Sequence, residues 1–320
     1  MIASNASASP APSRRSAPAR QFSPAREVCF VKYYQKGSTD IAADQMAVAL
    51  RRRGVAARSI FARELPGLRD AILVFVKRID LLDLWRCKRA KNPIVVDVQD
   101  TVVFKRGIRY AALWDGIIFR SRRALEDFGR RRAGAVLIPQ HWDERYRPRT
   151  VPDDRLRLGF LGDPRSLPFT EPIPGLTAVF DDWFGRAEEF NAHLSVRGTR
   201  REQLYKPNNK ISTAAACNAV LLTSRDEAAR EHLGDDYPFY TDPDREAVIA
   251  AIAVLERRVG GTDWNRALEQ LAAIRVATSL ERTTDLYLDY LSRFGELRVL
   301  EDSDTSDAGA APPAATASSA

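Results

Sequence analysis

The sequence predicts an α/β protein built from two doubly wound, Rossmann-like domains that face one another across a cleft. Three observations lead there. Segments such as "EVCFVKYY", "DAILVFVKR" and "NPIVVDVQD" are apolar without the alternation of a half-exposed strand, so they read as parallel strands covered on both faces. They alternate with stretches of helical periodicity. The alternation breaks once, at the polar, proline-containing "HWDERYRPRTVPDD" of residues 141–154, and then resumes. That break divides an N-terminal domain, residues 27–145, from a C-terminal domain, residues 146–300.

In the first domain, residues 27–34 give strand one. "GSTDIAADQMAVALRRRG" follows as a loop and an amphipathic helix that stops at Gly54. "VAARSIF" and "DAILVFVKR" are the next strands, and "IDLLDLWRCKRAK" suits a helix. "NPIVVDVQD" and "DGIIFRS" are strands four and five, "RRALEDFGRRR" a helix, and "AVLIPQ" strand six. In the second domain "RLRLGFLG" and "HLSVRG" are strands, separated by a helical or looped stretch through "FDDWFGRAEEF". A helix opening at Pro207 leads into strand "AVLLTS", because proline suits the first helical position. "SRDEAAREHLG" is a helix with Ser224 as N-cap, Glu227 completing a capping box, and Gly234 as its stop. A short "YPFYT" strand, the helix of "DPDREAVIAAIAVLERR", and one long helix over about residues 263–294 complete the chain. The last helix packs back toward the first domain. Residues 1–26 contain no acidic residue and are rich in Ala, Ser, Pro and Arg; residues 301–320 end in Ala, Ser and Pro. Both read as disordered tails, although an organelle transit peptide shares the N-terminal composition.

The composition bounds the function. The 320 residues, 45% hydrophobic, accommodate two domains. No apolar run reaches the length of a transmembrane helix, and the N-terminus lacks the apolar core of a secretory signal. Cys29, Cys87 and Cys217 form no CxxC pair, which argues against a disulfide framework and a zinc site and for a reducing, cytoplasmic compartment. The net charge of +7 fits an anionic partner: a phosphorylated ligand, an acidic membrane or nucleic acid. Nucleic acid is disfavoured because no aromatic-basic motif is present. "RSRRALEDFGRRR" is either a solvated arginine-rich face or a peripheral contact with the inner face of an anionic membrane.

Charge placement picks out the candidate site. Only 8 of the 49 basic residues are lysine, yet Lys206 and Lys210 flank the opening of one helix. Helix N-termini are already positive and favour acids. The pair therefore marks an anion site for a diphosphate, with Asn209 as a further donor, or else two solvated lysines. Arg197, just after "HLSV", is a phosphate clamp or an ordinary surface arginine. In "KGSTD", Gly37, Ser38 and Thr39 form an acceptor-binding loop or a plain turn capped by Thr39 or Asp40. This is neither GxGxxG nor a phosphate loop. Asp97 and Asp100 end a strand at the carboxyl edge, where Asp100 could take a proton from a substrate hydroxyl or cap a turn. His141, in the hinge, could reach the cleft as a catalytic group or serve the structure. His193 and His232 show no metal spacing.

The order of these segments resembles that of GT-B glycosyltransferases, specifically the retaining class with nucleotide-sugar donors. "KGSTDIAADQMAVALRRRGV" resembles the acceptor loop and first helix, and "DGIIFRSRRALEDF" the strand–Ser–helix step. "VLIPQHWDERY" resembles the segment leading between domains, and "LRLGFLG" the strand opening the donor domain. "YKPNNKISTAAACNAVLLTSRDEAAREHLGDDYPFY" resembles the donor-binding helix, the strand after it and the next helix. The resemblance covers most of residues 27–294. It implies sugar transfer from a nucleotide-diphosphate donor to a glycan, lipid-linked or small-molecule hydroxyl acceptor, in glycan biosynthesis, with no cofactor. Lys206, Asn209, Lys210, Thr213 and Arg197 fall on the donor side. The two glutamates of the common pattern align with Tyr205 and Thr213, neither of them acidic, and its Gly and Pro with Asn218 and Ala219. The lysines either take over donor binding without a metal, or the chain is a non-catalytic binding or assembly protein of the same fold.

Overall fold

The computed structural model describes residues 24–99, 108–130, 132, 134–198 and 205–300. Asp100 and most of both predicted tails, residues 1–23 and 301–320, lie outside the described residues. Arg26, the last residue of the predicted N-terminal tail, is held: its amide donates to Glu296 O and its carbonyl accepts from Arg298 N.

The first unit is a six-stranded, all-parallel sheet in the order β2-β1-β3-β4-β5-β6. Its strands are β1 (Glu27–Lys32), β2 (Ala57–Phe61), β3 (Ala71–Val76), β4 (Ile94–Val98), β5 (Gly116–Phe119) and β6 (Ala135–Leu137). Every residue of β3, β4 and β5 is buried, as their unbroken apolar character requires. Between β1 and β2 the chain is helical from Gly37: α1 (Gly37–Thr39) runs through a π-helical stretch, Asp40–Gln45, into α2 (Met46–Arg52). The predicted loop at Gly37–Thr39 is therefore the first helical turn. Helix α3 (Leu81–Arg89) joins β3 to β4, and α4 (Arg122–Ala124) with the π-helical Leu125–Gly129 joins β5 to β6.

The second unit is a five-stranded parallel sheet, β11-β10-β9-β7-β8. Its strands are β7 (Leu158–Leu161), β8 (Leu176–Val179), β9 (Ala192–Ser195), β10 (Val220–Ser224) and β11 (Tyr240–Thr241). The sequence gives no sign of β8, a four-residue edge strand with two exposed residues. Helices α5 (Trp183–Arg186), α6 (Asn209–Ala216), α7 (Glu227–Leu233), α8 (Arg245–Arg257) and α9 (Thr262–Ala277) belong to this unit. Helix α6 opens at Asn208 as N-cap rather than at Pro207, and the Asn208 side chain makes no capping bond, its Oδ1 accepting instead from Ser195 Oγ at 3.2 Å. Asp226, not Ser224, caps α7 by accepting from Ala229 N at 2.9 Å; Ser224 still belongs to β10.

The predicted single helix over 263–294 is two. Helix α9 stops at Thr278, and α10 (Leu280–Leu291) restarts with Ser279 as N-cap, its side chain accepting from Arg282 N. Each half serves a different core. Trp264, Ala267, Leu271 and Ile274 pack with the second sheet, whereas Leu280, Tyr287, Tyr290 and Leu291 pack with Val28, Met46, Leu50 and Ile72 of the first unit.

Candidate functional site

In an open parallel sheet, the strand order reverses at a switch point whose carboxyl side forms a crevice. In the first sheet it lies between β1 and β3; in the second, between β7 and β9. The segments after β1 and β7, with residues of β9 itself, line one cleft. Gly37 and Ser38 approach it from the first unit, and Leu161, Gly162, His193 and the start of α6 from the second. It encloses about 820 Å³ including its open mouth.

Lys210 reaches into this cleft from the first turn of α6. Its ammonium donates to Leu161 O and lies 4.0 Å from the centroid of the Phe160 ring. Gly162 makes room. With φ +135 it adopts a backbone few side chains tolerate, and an added Cβ would stand 3.0 Å from Lys210 Nζ. Burial, and secondarily Arg197, push the Lys210 pKa down from 10.5 to about 8. No acidic residue occupies the first turn of α6 and no side chain caps it. By contrast, α7, α8 and α10 are capped by Asp226, Asp244 and Ser279.

Several buried polar groups around the cleft have no partner. They are both amide atoms of Gln140, His141 Nδ1, His193 Nε2 and Asn209 Oδ1. Such groups cost free energy unless something satisfies them. His141 Nε2 lies 3.3 Å from Gln45 Oε1. With Nε2–H donating there, Nδ1 is left as an acceptor. Burial, then Arg120, push His141 down to about 3, and burial pushes His193 down to about 4, so both rings are neutral near pH 7. Tyr146, Trp183 and Phe184 form an aromatic wall, with the Tyr146 and Phe184 centroids 4.9 Å apart. The Arg145 guanidinium stacks over Phe184 at 4.0 Å and bonds to Asp40 and buried Asp143, so the linker is clamped to both units.

The predicted site residues divide. Gly37, Ser38, His141, Asn209, Lys210 and Thr213 line the cleft. Nothing lies within 4 Å of a Cβ built on Gly37, and Ser38 Oγ accepts from Lys77. Thr39 is absent from the lining: it is buried, accepting from Lys36 N at 2.9 Å, and closes the helix start. Arg197 is drawn away as well. Its two arms donate to Lys206 O and Pro207 O at 3.0 and 2.6 Å, fixing the chain that enters α6. Lys206 is exposed and outside the lining. Asp97 is a core group, paired with Arg120 at 2.8 and 2.5 Å with both side chains buried. Sequence reasoning missed Gln140, Tyr146, Trp183, Phe184 and His193. The signal for His193 was a histidine inside a fully buried parallel strand, Ala192–Ser195. Among the described residues, no group of three His, Cys, Asp or Glu could hold a metal.

Neither a family model nor a curated protein sequence matches the chain. Solved structures do. A glycosyltransferase from Rickettsia africae superposes with a TM-score of 0.62 at 10% identity, covering 84% of this chain and 98% of that one. HepE of Anabaena, in complex with UDP, gives 0.59 at 10% identity over 83% and 100% of the two chains. The E. coli trehalose-6-phosphate protein bound with UDP-2-fluoro glucose gives 0.57 at 11% over 85% and 100%. This chain has the GT-B fold. At these identities the likeness is one of fold, and the site must carry the function.

Within this GT-B fold, the two positions of the missing glutamates have different surroundings. Tyr205 is turned against the first unit. Its carbonyl accepts from Ser121 Oγ at 3.2 Å, its hydroxyl donates to Asp127 at 3.1 Å, and its ring meets Phe128 edge-on at 5.0 Å. Thr213 stays in the cleft, within hydrogen-bonding reach of the Tyr146 hydroxyl. No helix among the described residues is long and apolar enough to cross a membrane.

Proposed function

We propose that the chain transfers a sugar from a nucleotide-diphosphate donor to a hydroxyl acceptor in the cleft, without a metal. The carrying observation is Lys210: a desolvated ammonium, still mostly protonated near pH 7, at an uncapped helix start, in the crevice where both switch points meet. In this role Lys210 and the α6 amides meet the diphosphate, which gains negative charge as the glycosidic bond breaks. Arg197 assists by fixing the carbonyls of Lys206 and Pro207, and Lys206 adds a second, more distant positive charge. Asn209, Thr213 and the neutral His141 hydrogen-bond the donor, supplying partners to a sugar's hydroxyls. Gly37 and Ser38 receive the acceptor, with Thr39 holding their turn, and Asp100 orients or deprotonates its hydroxyl. The UDP and UDP-2-fluoro glucose named with two of the structural neighbours are consistent with such a donor.

Tyr205 favours a second reading, a non-catalytic binding protein. The position that would carry one glutamate is committed to docking between the units. Turnover decides between them. Incubation with sugar-labelled nucleotide donors and an acceptor mixture should release nucleoside diphosphate and label an acceptor. Donor binding without label transfer establishes the second reading; neither binding nor transfer removes both.

A further inference from the structure

Helix α3 carries a surface that glycosyl transfer leaves unused. It buries Leu84 and Cys87 in the first unit. Leu81, Leu82 and Trp85 project outward, Leu82 and Trp85 turned away from Leu84 and Cys87 and Leu81 at the edge of that face, since the helix turns by about 100° per residue. They are 54%, 57% and 57% exposed. Grouped apolar exposure of this kind marks an interaction surface rather than ordinary scatter. Residues 77–91 add six cations and two acids. The Arg89 guanidinium lies 5.4 Å over the Trp85 ring, and Arg86 is 52% exposed. Asp80 and Asp83 are engaged: Asp80 with Arg78, and Asp83 with Tyr33 and, at 3.6 Å, Arg86. Lys88 bonds to Asp115.

We propose that α3 docks on an anionic lipid bilayer. Leu81, Leu82 and Trp85 enter the interface while Arg86, Arg89 and Lys91 meet the head groups. Charge selects this occupant over a second copy of the chain. A symmetric pair would oppose the same cations, on molecules of net charge +7. The face also adjoins the cleft. Tyr33 OH accepts from Asp80 N at 2.9 Å, which ties the start of α3 to the loop leading to Gly37 and Ser38. Docking therefore brings the acceptor side of the cleft to the bilayer, where a lipid-linked acceptor is presented. That extension rests on the proposed glycosyl transfer; docking itself does not.

Flotation with vesicles of two parts phosphatidylcholine to one part phosphatidylglycerol tests this without any donor. The full chain should float with them and not with pure phosphatidylcholine. Leu81→Ser/Leu82→Ser/Trp85→Ser should weaken partition at least about tenfold, with an unchanged melting curve, because all three are surface positions. Trp85→Ser alone, a milder change, should cost about threefold. Arg257→Gln/Arg266→Gln, which removes exposed cations of α8 and α9, should cost less than about twofold. The proposal is overturned by unchanged binding in both the triple and the single variant, by an equal loss in the arginine variant, or by equal binding to pure phosphatidylcholine. Self-association released by the triple variant, in a chain that does not float, overturns it in favour of a second copy.

Discussion

Burial holds the Lys210 ammonium near its titration point, and the protein's pH behaviour should report it. Its pKa is about 8 when folded and 10.5 ordinarily. Between these values the unfolded chain binds more protons than the folded one, so stability rises with pH. Denaturant melts from pH 8 to 10.5 should show this rise, and Lys210→Met should remove its part of the slope. His193 has the same charge problem at acid pH. Its folded pKa of about 4 lies below the ordinary 6.5. As pH falls from 6.5 toward 4, the unfolded state gains a proton that the folded state refuses, and stability drops. His193→Gln should flatten that part of the profile; an unchanged acid slope would show that His193 is not buried neutral. At this scale Lys210 was legible because a lysine at a helix start defies the dipole preference. His193 was not, because a buried strand does not announce which of its side chains meets a cavity. Thr39 misled because a small polar residue in a loop serves a turn as readily as a ligand.

At the scale of elements, one buried ion pair joins four segments. Arg120, at the end of β5, is bidentate to Asp97 of β4, donates to Tyr287 of α10 at 2.6 Å, and reaches the linker carbonyls of Ile138 and Pro139 at 3.0 Å. Removing one partner leaves the other charge buried and uncompensated. Arg120→Met should therefore destabilise the chain by about 3–5 kcal/mol, and amide exchange should accelerate first in α10. A loss within the ordinary surface range would contradict the hub. Apolar runs made most of the strands legible, and β8 escaped because an exposed four-residue edge has no apolar run. The break between α9 and α10 escaped although the apolar stripe shifts there: Ile274 to Leu280 is a step of six residues, about 240° around a helix, which moves the stripe to another face. The cap at Ser279 was the other available signal, and it marks where the helix changes cores.

For the whole molecule, the chain crosses between its two units twice, and the crossings touch. The amide and indole N–H of Trp142, in the linker, donate to Thr278 O and Arg275 O at 3.1 and 3.0 Å, at the α9–α10 break. The two sheets thus present their switch points to one cleft through a paired connection. The alternation of strands and helices made this architecture legible, with the polar stretch after His141 marking where one sheet gives way to the other. The cleft's aromatic wall was not legible, because Tyr146, Trp183 and Phe184 converge only through that connection. The central claim is that Lys210 holds a diphosphate there. Calorimetric titration of UDP, GDP, ADP and CDP against uridine and the other free nucleosides, in wild type and Lys210→Met, tests it most directly. At least one diphosphate should bind the wild type, and Lys210→Met should weaken it by about tenfold to a hundredfold, the worth of a charge-assisted contact, while any nucleoside binding stays unchanged. Equal diphosphate affinity in the two proteins would contradict the claim.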